Sequence, residues 1–258
     1  MKLVILAGGF GTRINEENSL IPKPLIEIGN QPVIWHIMKM YSYYGIKEFI
    51  ICCGYKGNMI KDYFINYAYL NSDLQINLSD NSVKILNNQR EDWKITLVDT
   101  GIGTLTGGRI KQIYRYIKDD KFFCLTYGDG LSDINIKKLI NHHTNKKRLA
   151  TVTAVSVPGR FGDLEIDRNN DVKNFSEKRS SKAVKDRING GFMVIDPTVL
   201  KLIKNNKTNF ESDTLTFLAK KKQVSAFIHD GFWQCMDTPR EKIMLENMWK
   251  KSPPWKKW

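Results

Sequence analysis

The sequence predicts an α/β fold in which a mostly parallel, twisted sheet is flanked by helices on both faces. Short apolar runs typical of buried strands alternate along the chain with segments whose apolar residues recur at helical spacing. Such alternation is typical of strand-helix-strand units, which build parallel sheets. Ligands of these folds bind beyond the carboxyl ends of the strands. We therefore expect the functional site in the loops that follow the strands.

The first half of the chain carries three predicted strands and two predicted helices. The predicted strands are Lys2 to Leu6, "EFIICCG" and "WKITLVDTG". The first helix opens at Pro32 and ends near Gly45, and its apolar residues at helical spacing are Ile34, Ile37, Met38 and Tyr41. The second helix is predicted from the apolar residues Met59, Ile60, Tyr63, Phe64 and Tyr67. Cys52 and Cys53 should point to opposite faces of their strand. The polar stretch from Asn71 to Trp93 predicts an insertion at about residues 71–98, which either closes over the site or contacts a neighbouring subunit.

The second half continues the alternation. In chain order we expect a strand and turn in "KFFCLTYGDG", a helix in "INIKKLINHH", a strand in "LATVTAVSV", a hairpin turn at "DRNNDV", a strand in "INGGFMVID" followed by a short helix after Pro197, and strand-like sequence in "VSAFIHDGFWQCMDT". The residues Thr238 to Glu241 predict a helix that begins with a capping box and has Pro239 in its first turn.

Composition narrows the classes of protein. Hydrophobic residues make up 41% and charged residues 26% of the 258 positions, which excludes a disordered chain and is typical of one globular domain. No apolar run approaches the ~20 residues that a membrane span needs, and the first residues do not read as a signal peptide. The four cysteines show no metal or disulfide spacing. We therefore expect a cytoplasmic protein with buried, reduced cysteines.

The net charge of +13 raises the possibility of a nucleic-acid partner. However, the lysine clusters, such as Lys220–Lys222 and Lys146–Arg148, lie near predicted ends of elements, where solvated charge is the simpler interpretation. Nothing in the chain resembles a zinc finger, an aromatic RNA-binding motif or a long basic helix. We expect neither a nucleic-acid nor a membrane partner.

A glycine-rich turn follows the first strand, in "LAGGFGTRI". Gly8, Gly9 and Gly11 lack Cβ atoms, so the main-chain N–H groups can approach a phosphate closely, while Arg13 and Lys23 add positive charge. The spacing fits neither the dinucleotide fingerprint nor the Walker loop. Taken alone, the turn is equally compatible with a simple tight connection between a strand and a helix.

The wider pattern resembles one enzyme family. "LAGGFGTRI" followed by "PKPLIEIGNQPVIWHIMKMY" resembles the signature of the sugar-1-phosphate nucleotidylyltransferases, and "FIICCGYKG", "TLVDTG", "TGGR", "CLTYGDG", "PGRFG", "NFSEK", "INGGF" and "GFWQ" with "MDT" look like its cytidylyltransferase branch, in the expected order. The resemblance implies a Rossmann-like mixed sheet of the nucleotide-diphospho-sugar transferase type. It also implies a single domain over residues 1–258 with a sugar-binding subregion at about 158–195.

The implied reaction moves a cytidylyl group from CTP to α-D-glucose 1-phosphate, giving CDP-glucose and pyrophosphate for dideoxysugar and O-antigen-type polysaccharide synthesis. Every reactant is anionic, so catalysis should depend on positioning, on cationic groups and on a divalent cofactor, Mg2+. Members of this branch form homo-oligomers, and we expect the same here. Two alternatives stay open: the same chemistry with dTTP or UTP, and a non-catalytic protein that binds sugar nucleotides or nucleic acid.

The resemblance also assigns site residues. The nucleotide-binding set is Leu6, Ala7, Gly8, Gly9, Phe10, Gly11, Thr12, Arg13, Lys23, Thr104, Arg109 and Gly128. The sugar-phosphate set is Glu177, Lys178 and Asn189, the metal ligands are Asp129 and Asp237, and the catalytic residues are Arg13, Lys23 and Asp129. Taken alone, Asp129 is typical of a turn, Asp237 of a helix start and Lys178 of a solvated hairpin.

A few positions depart from the family pattern. Arg179 and Cys235 stand where the family commonly has proline, and Asn18 replaces a frequent threonine, but none of these residues is assigned to the chemistry. The tryptophans are expected to be packing residues. For Trp255 and Trp258 in the C-terminal tail, a subunit contact is the alternative.

Overall fold

The computed structural model describes residues 1–9, 21–87, 91–156, 163–166, 172–176 and 187–258. Among the predicted site residues, those outside these ranges are Phe10, Gly11, Thr12, Arg13, Glu177 and Lys178; Arg179, Asn18 and residues 167–171 of the "DRNNDV" turn also lie outside them. The strands on either side of that turn, Asp163–Ile166 and Val172–Ser176, pair antiparallel, which confirms the predicted hairpin.

The strands of the described residues are β1 (Lys2–Ala7), β2 (Glu27–Ile28), β3 (Gln31–Pro32), β4 (Glu48–Cys53), β5 (Leu74–Asn77), β6 (Ser82–Ile85), β7 (Lys94–Asp99), β8 (Phe123–Tyr127), β9 (Gly130–Ser132), β10 (Ala150–Ser156), β11 (Asp163–Ile166), β12 (Val172–Ser176), β13 (Arg187–Ile195), β14 (Val224–His229) and β15 (Trp233–Cys235). The α-helices are α1 (Val33–Tyr43), α2 (Gly57–Ile65), α3 (Tyr67–Leu70), α4 (Thr106–Gln112), α5 (Tyr114–Ile117), α6 (Ile136–Lys146), α7 (Thr216–Lys220) and α8 (Pro239–Trp249). Two 3-10 segments, Lys23–Leu25 and Pro197–Leu202, and a π-helical turn, Phe210–Leu215, complete the described elements.

The central sheet has seven strands in the order β14-β10-β13-β8-β1-β4-β7. Only β13 runs antiparallel to its neighbours, β10 and β8, while the other adjacent pairs in this sheet are parallel. The prediction of a mixed, mostly parallel sheet is confirmed. Because β1, β4, β7 and β8 are parallel and adjacent, the loops at their carboxyl ends meet at one edge of the sheet.

The core is divided between the two faces of this sheet. Residues alternate along each strand, so Leu3 and Ile5 of β1 belong to one apolar cluster and Val4 to the other. Cys53 joins the first cluster and Cys52 the second, as their adjacent positions predict. Both thiols are buried and reduced.

Two helix ends follow their sequence signals. Gly45, just beyond α1, has φ +86°, a left-handed conformation that glycine adopts without strain. At the start of α8 the predicted capping box is present: the Thr238 side chain accepts from the backbone of Glu241, and the Glu241 carboxylate accepts from the backbone N–H of Thr238. The predicted second helix is divided at Asn66 into α2 and α3.

Several short elements were not predicted, among them helix α4 and the hairpin β5–β6. Helix α4 forms inside the glycine-rich "TGGR" segment because Gly107 and Gly108 pack directly against the chain at 206–210. A Cβ atom on Gly107 would lie 2.7 Å from the carbonyl oxygen of Thr208, and one on Gly108 would lie 2.5 Å from Cα of Asn206. The hairpin β5–β6 lies inside the predicted insertion at about 71–98, whose last residues form β7 of the central sheet.

The C-terminal tail packs on its own chain. Trp255 is fully buried, stacks on Phe232 and Trp249, and lies edge-on to His36. The alternative that Trp255 forms a subunit contact is therefore wrong, because its side chain is part of the core. Trp258 is half-buried and packs on Trp35 and His36. No helix among the described residues combines the length and the apolar character that crossing a bilayer requires.

Candidate active site

A cleft of about 350 Å³ lies at the carboxyl ends of β1, β7 and β8. The predicted site residues that line it are Leu6, Ala7, Gly8, Gly9, Lys23, Thr104, Arg109, Gly128 and Asp129. The lining residues that the sequence did not single out are Pro24, Ile102, Gly103, Leu105, Thr106, Tyr127 and Asn209. The structure therefore brings the described nucleotide-binding set together at one place.

Asp129 and Asp237, which are 108 positions apart in the chain, come together through a short strand pairing. Strands β9 and β15 pair so that Gly130 lies opposite Cys235, and the N–H of Met236 donates to the carbonyl oxygen of Asp129 at 2.8 Å. Asp129 directly precedes Gly130, and Asp237 follows Cys235 after Met236. The pairing therefore holds the backbones of the two predicted metal ligands side by side.

Lys23 lies between these two carboxylates. Its Nζ hydrogen-bonds Oδ1 of Asp237 and lies 3.8 Å from Oδ2 of Asp129. All three side chains are partly buried, so the ion pairs are screened less than they would be on an open surface. The predicted lysine and the predicted acidic pair thus form one cluster at the wall of the cleft.

The backbone around Gly128 sets the position of Lys23. The N–H of Gly128 donates to the carbonyl oxygen of Leu6 at 3.1 Å, which joins the ends of β8 and β1. Pro24 packs against Gly128 so closely that a Cβ atom on Gly128 would lie 2.8 Å from Cγ of Pro24. Glycine at this position is therefore needed for the Lys23–Leu25 segment to reach the acidic pair.

Asp237 is also fixed from the side of α8. Oε2 of Glu241 accepts from the N–H groups of Asp237 and Thr238, at 2.7 and 2.8 Å. Glu241 is buried, so this contact is shielded from water. The capping box that starts α8 therefore also orients the backbone of a predicted metal ligand.

The acidic pair fits a hard divalent cation. Two carboxylates already converge on one cation, the ammonium group of Lys23, and carboxylate oxygens are the ligands that Mg2+ prefers. Within the part of the chain that the structure describes, no three His, Cys, Asp or Glu side chains gather as a metal site. Magnesium commonly completes its octahedron with substrate phosphates and water, so two protein carboxylates suffice.

Arg109 is buried and its guanidinium joins three loops. Nη1 donates to the carbonyl oxygen of Cys53 at 3.1 Å and to Oγ1 of Thr100 at 2.6 Å. Nη2 donates to the carbonyl oxygens of Gly8 at 2.9 Å and Ile102 at 3.3 Å. Burial lowers the pKa of Arg109 from its ordinary value. In this arrangement the side chain holds together the loops after β1, β4 and β7, and its contact with a nucleobase stays a prediction.

Tyr127 and Thr106, which also line the cleft, both contact the carboxylate of Glu211. The Tyr127 hydroxyl donates to Oε1 of Glu211 at 2.5 Å, and the Thr106 hydroxyl donates to Oε2 at 2.6 Å. Burial, followed by the nearby charge of Glu211, raises the pKa of Tyr127 well above its usual range. Asn189, the described member of the predicted sugar set, lies beside this tyrosine: its Oδ1 accepts from the N–H of Gly191, and Gly191 packs closely against the Tyr127 ring. A sequence signal for Tyr127 existed, because it precedes Gly128 and Asp129 in "YGDG"; none pointed to Glu211.

Cys235 stands beside the acidic pair. Its Sγ lies 3.7 Å from Oδ2 of Asp237, and burial together with the nearby carboxylates raises the pKa of the thiol to about 12. The thiol is therefore neutral at physiological pH and adds no charge to the site.

Comparison with known proteins agrees with this architecture. The chain matches the family model described as nucleotidyl transferase over residues 2–243. It is 50% identical over 259 residues to a glucose-1-phosphate cytidylyltransferase of Salmonella typhimurium and 45% identical over 260 residues to a probable glucose-1-phosphate cytidylyltransferase of Bacillus subtilis, with 100% of each chain covered in both cases. The crystal structure of HddC from Yersinia pseudotuberculosis shares the fold, with a TM-score of 0.69 at 24% identity over 96% of this chain and 99% of that chain.

The sheet, with a cleft at its carboxyl edge, is that of an enzyme that transfers nucleotidyl groups. The chain belongs to the nucleotidyl transferase family and, within it, groups with the glucose-1-phosphate cytidylyltransferases. The family and the fold that the motifs implied are both confirmed.

Proposed function

We propose that this enzyme transfers the cytidylyl group of CTP to α-D-glucose 1-phosphate, forming CDP-glucose and pyrophosphate. A phosphate oxygen of the sugar phosphate attacks the α-phosphorus of CTP, and the bond from that phosphorus to the oxygen of the leaving pyrophosphate breaks. The observation that carries the proposal is the 50% identity, over the full length of both chains, to an enzyme named for this activity. The cleft and its charged cluster support the same chemistry.

The chain's own groups address the main obstacle, which is repulsion between two anionic reactants. Lys23 places a cation at the wall of the cleft, and Gly8 and Gly9, which also line it, belong to a turn of the kind that presents main-chain N–H groups to a phosphate. These groups stabilise the negative charge that the in-line transition state concentrates around the α-phosphorus. A sugar phosphate is already an anionic nucleophile at neutral pH, so the reaction needs no general base.

We propose that Asp129 and Asp237 hold the Mg2+ ion of this reaction. When bound, the ion supplies positive charge that offsets the charge of the phosphates and withdraws electrons from the reacting phosphorus. Lys23, which contacts both carboxylates, is the chain's own cation at the same place. Asn189 and Glu177 are proposed to hold sugar hydroxyls, and Lys178 the phosphate of the sugar phosphate; Glu177 and Lys178 lie outside the described residues.

We also propose a homo-oligomer, and hairpin β5–β6 supports it. Its strand register places Leu74, Ile76, Val83 and Ile85 on one face, yet Ile76 and Val83 are 57% and 48% exposed. A second copy of the chain is the partner that would cover this face. In sedimentation, the double variant Ile76→Glu, Val83→Lys should be a smaller species than the wild type. The control double variant Gln75→Glu, Lys84→Glu, on the opposite face of the hairpin, should keep the wild-type size. An unchanged assembly in the first variant would remove this interface.

The biological setting belongs to the same proposal. A cytoplasmic enzyme of this kind would supply CDP-glucose to dideoxysugar synthesis for surface polysaccharide. A strain that lacks the gene should lose the dideoxysugar from its polysaccharide and regain it when the gene is restored. Normal polysaccharide in the deleted strain would contradict this role.

The experiment that tests the activity is a turnover assay that pairs four nucleoside triphosphates with several hexose 1-phosphates. Pyrophosphate release should be fastest with CTP and glucose 1-phosphate. Faster release with UTP or dTTP would assign another base to the same chemistry. Absence of turnover with every pair, combined with DNA or RNA binding that falls steeply with salt, would favour a nucleic-acid-binding protein.

A further inference from the structure

We propose that Glu211 is a positioning residue that couples the nucleotide side of the cleft to its sugar side through Tyr127. The inference rests on the proposed function and adds a residue to it. Glu211 does not itself line the cleft, whereas Tyr127 and Thr106, the two side chains that donate to its carboxylate, both do. One carboxylate therefore orients two wall residues that come from different elements.

The place of Glu211 is fixed by the backbone around it. The side chain of Asn209 accepts from the N–H of Glu211 at 2.9 Å and from that of Ser212 at 2.8 Å, which starts the π-helical turn. The N–H of Phe210 donates to Oγ1 of Thr106 at 2.9 Å. The start of α4 and the start of this turn are thus joined by two contacts, one through the main chain and one through the carboxylate.

Tyr127 connects Glu211 to the sugar side of the cleft. Its hydroxyl donates to Glu211, and its ring packs against Gly191 of β13, two residues after Asn189. Oδ1 of Asn189 accepts from the N–H of Gly191 at 2.9 Å, which fixes which way the amide points. Gly191 has φ +80°, and a Cβ atom there would lie 2.6 Å from Cδ2 of Tyr127, so glycine is what lets the ring reach this strand.

Glu211 must be ionised to accept hydrogen bonds from both hydroxyl groups. A carboxylate is an acceptor at both oxygens, so it can take the protons of Tyr127 and Thr106 at the same time. Glutamine at the same position offers one acceptor oxygen and one amino group, and the amino group cannot accept. One of the two hydroxyl groups would then lose its acceptor, and the Tyr127 ring that packs beside Asn189 would be held less firmly.

Steady-state kinetics of Glu211→Gln test the proposal. We expect the KM for glucose 1-phosphate to rise about tenfold, since loss of one oriented hydrogen bond corresponds to about 1.4 kcal/mol. A role confined to folding would instead lower the fraction of active enzyme, and so kcat, while KM stayed the same. Asp213→Asn is the matched control, because it neutralises a carboxylate of the same turn that contacts neither Tyr127 nor Thr106.

Double variants test whether the effect passes through Tyr127 and Asn189. In an Asn189→Ala background, Glu211→Gln should change the KM for glucose 1-phosphate by less than about twofold, because the residue it positions is absent. The proposal would be overturned if the effects of the two substitutions on this KM multiplied in the double variant. It would also be overturned if Glu211→Gln alone kept the wild-type KM. If Glu211→Gln does not fold, Tyr127→Phe decides in its place and should raise the same KM. Absence of turnover in the wild type would instead count against the proposed function.

Discussion

The guanidinium of Arg109 lies directly against the backbone of Gly8: a Cβ atom on Gly8 would be 2.2 Å from Nη1 of Arg109. Gly54 has the same relationship, with its Cβ position 2.4 Å from Nη1. Both glycines leave room for one side chain, and four hydrogen bonds hold that side chain in place. The first glycine of the loop is thus needed for the approach of a buried arginine, in addition to any approach of a phosphate.

Gly8→Ala should therefore destabilise the protein. The new methyl group must displace the Arg109 guanidinium, and breaking one or two of its buried hydrogen bonds should cost about 1 to 3 kcal/mol in the free energy of unfolding. Chemical denaturation measures this loss. Gly9→Ala is the matched control, because a Cβ atom on Gly9 meets no atom within 4 Å among the described residues. Equal stabilities of the two variants would contradict the packing of Arg109 described above.

Protonation of His36 should weaken the fold in mild acid. This side chain is fully buried among tryptophans, and desolvation by burial lowers its pKa from 6.5 to about 4. Between pH 6.5 and 4 the imidazole binds a proton in the unfolded chain but not in the folded chain. The free energy of unfolding therefore has its full value above pH 6.5 and decreases as the pH falls toward 4. The expected loss between pH 7.5 and pH 5 is about 2 kcal/mol.

Denaturation of His36→Gln at the two pH values isolates this contribution. Glutamine does not titrate, and its amide can donate to the carbonyl oxygen of Ile28, which lies 2.8 Å from Nε2 of His36. The variant should lose about 2 kcal/mol less than the wild type on going to pH 5. The same pH dependence in both proteins would mean that other groups cause it.

The two tail tryptophans should differ in their contribution to stability. Trp255→Ala removes a fully buried indole and should cost about 3 to 5 kcal/mol in the free energy of unfolding. Trp258→Ala should cost less, since Trp258 is half-buried. Denaturation gives both values, and sedimentation shows whether either variant dissociates at protein concentrations where it stays folded. A Trp255→Ala protein as stable as the wild type would contradict the packing of the tail.

Much of the fold could be predicted because its signals are local. The apolar run "EFIICC" and the capping box at Thr238 need no distant partner to specify a strand or a helix start, and both were confirmed. Helix α4 was missed because its glycines have low intrinsic helix propensity. It forms because Gly107 and Gly108 let the helix contact a segment about 100 residues further along the chain.

Some residues of the candidate site could likewise be predicted from local motifs, and others could not. Lys23, Asp129 and Asp237 could be named from motifs, and the structure brings them together. The role of the β9–β15 pairing could not be predicted, because these strands are three residues each and pair across about a hundred positions. Glu211 was missed for a related reason: it acts on the cleft through other side chains, and no motif marks it.

Pyrophosphate release by the Asp129→Asn, Asp237→Asn double variant shows whether the acidic pair around Lys23 organises the reacting phosphates. With CTP, glucose 1-phosphate and Mg2+, turnover should fall at least about 100-fold below the wild type. Asp120→Asn, which removes the partner of Lys2 at the opposite end of β1, should keep wild-type turnover. Wild-type turnover in the folded double variant would show that the reaction does not need these two carboxylates.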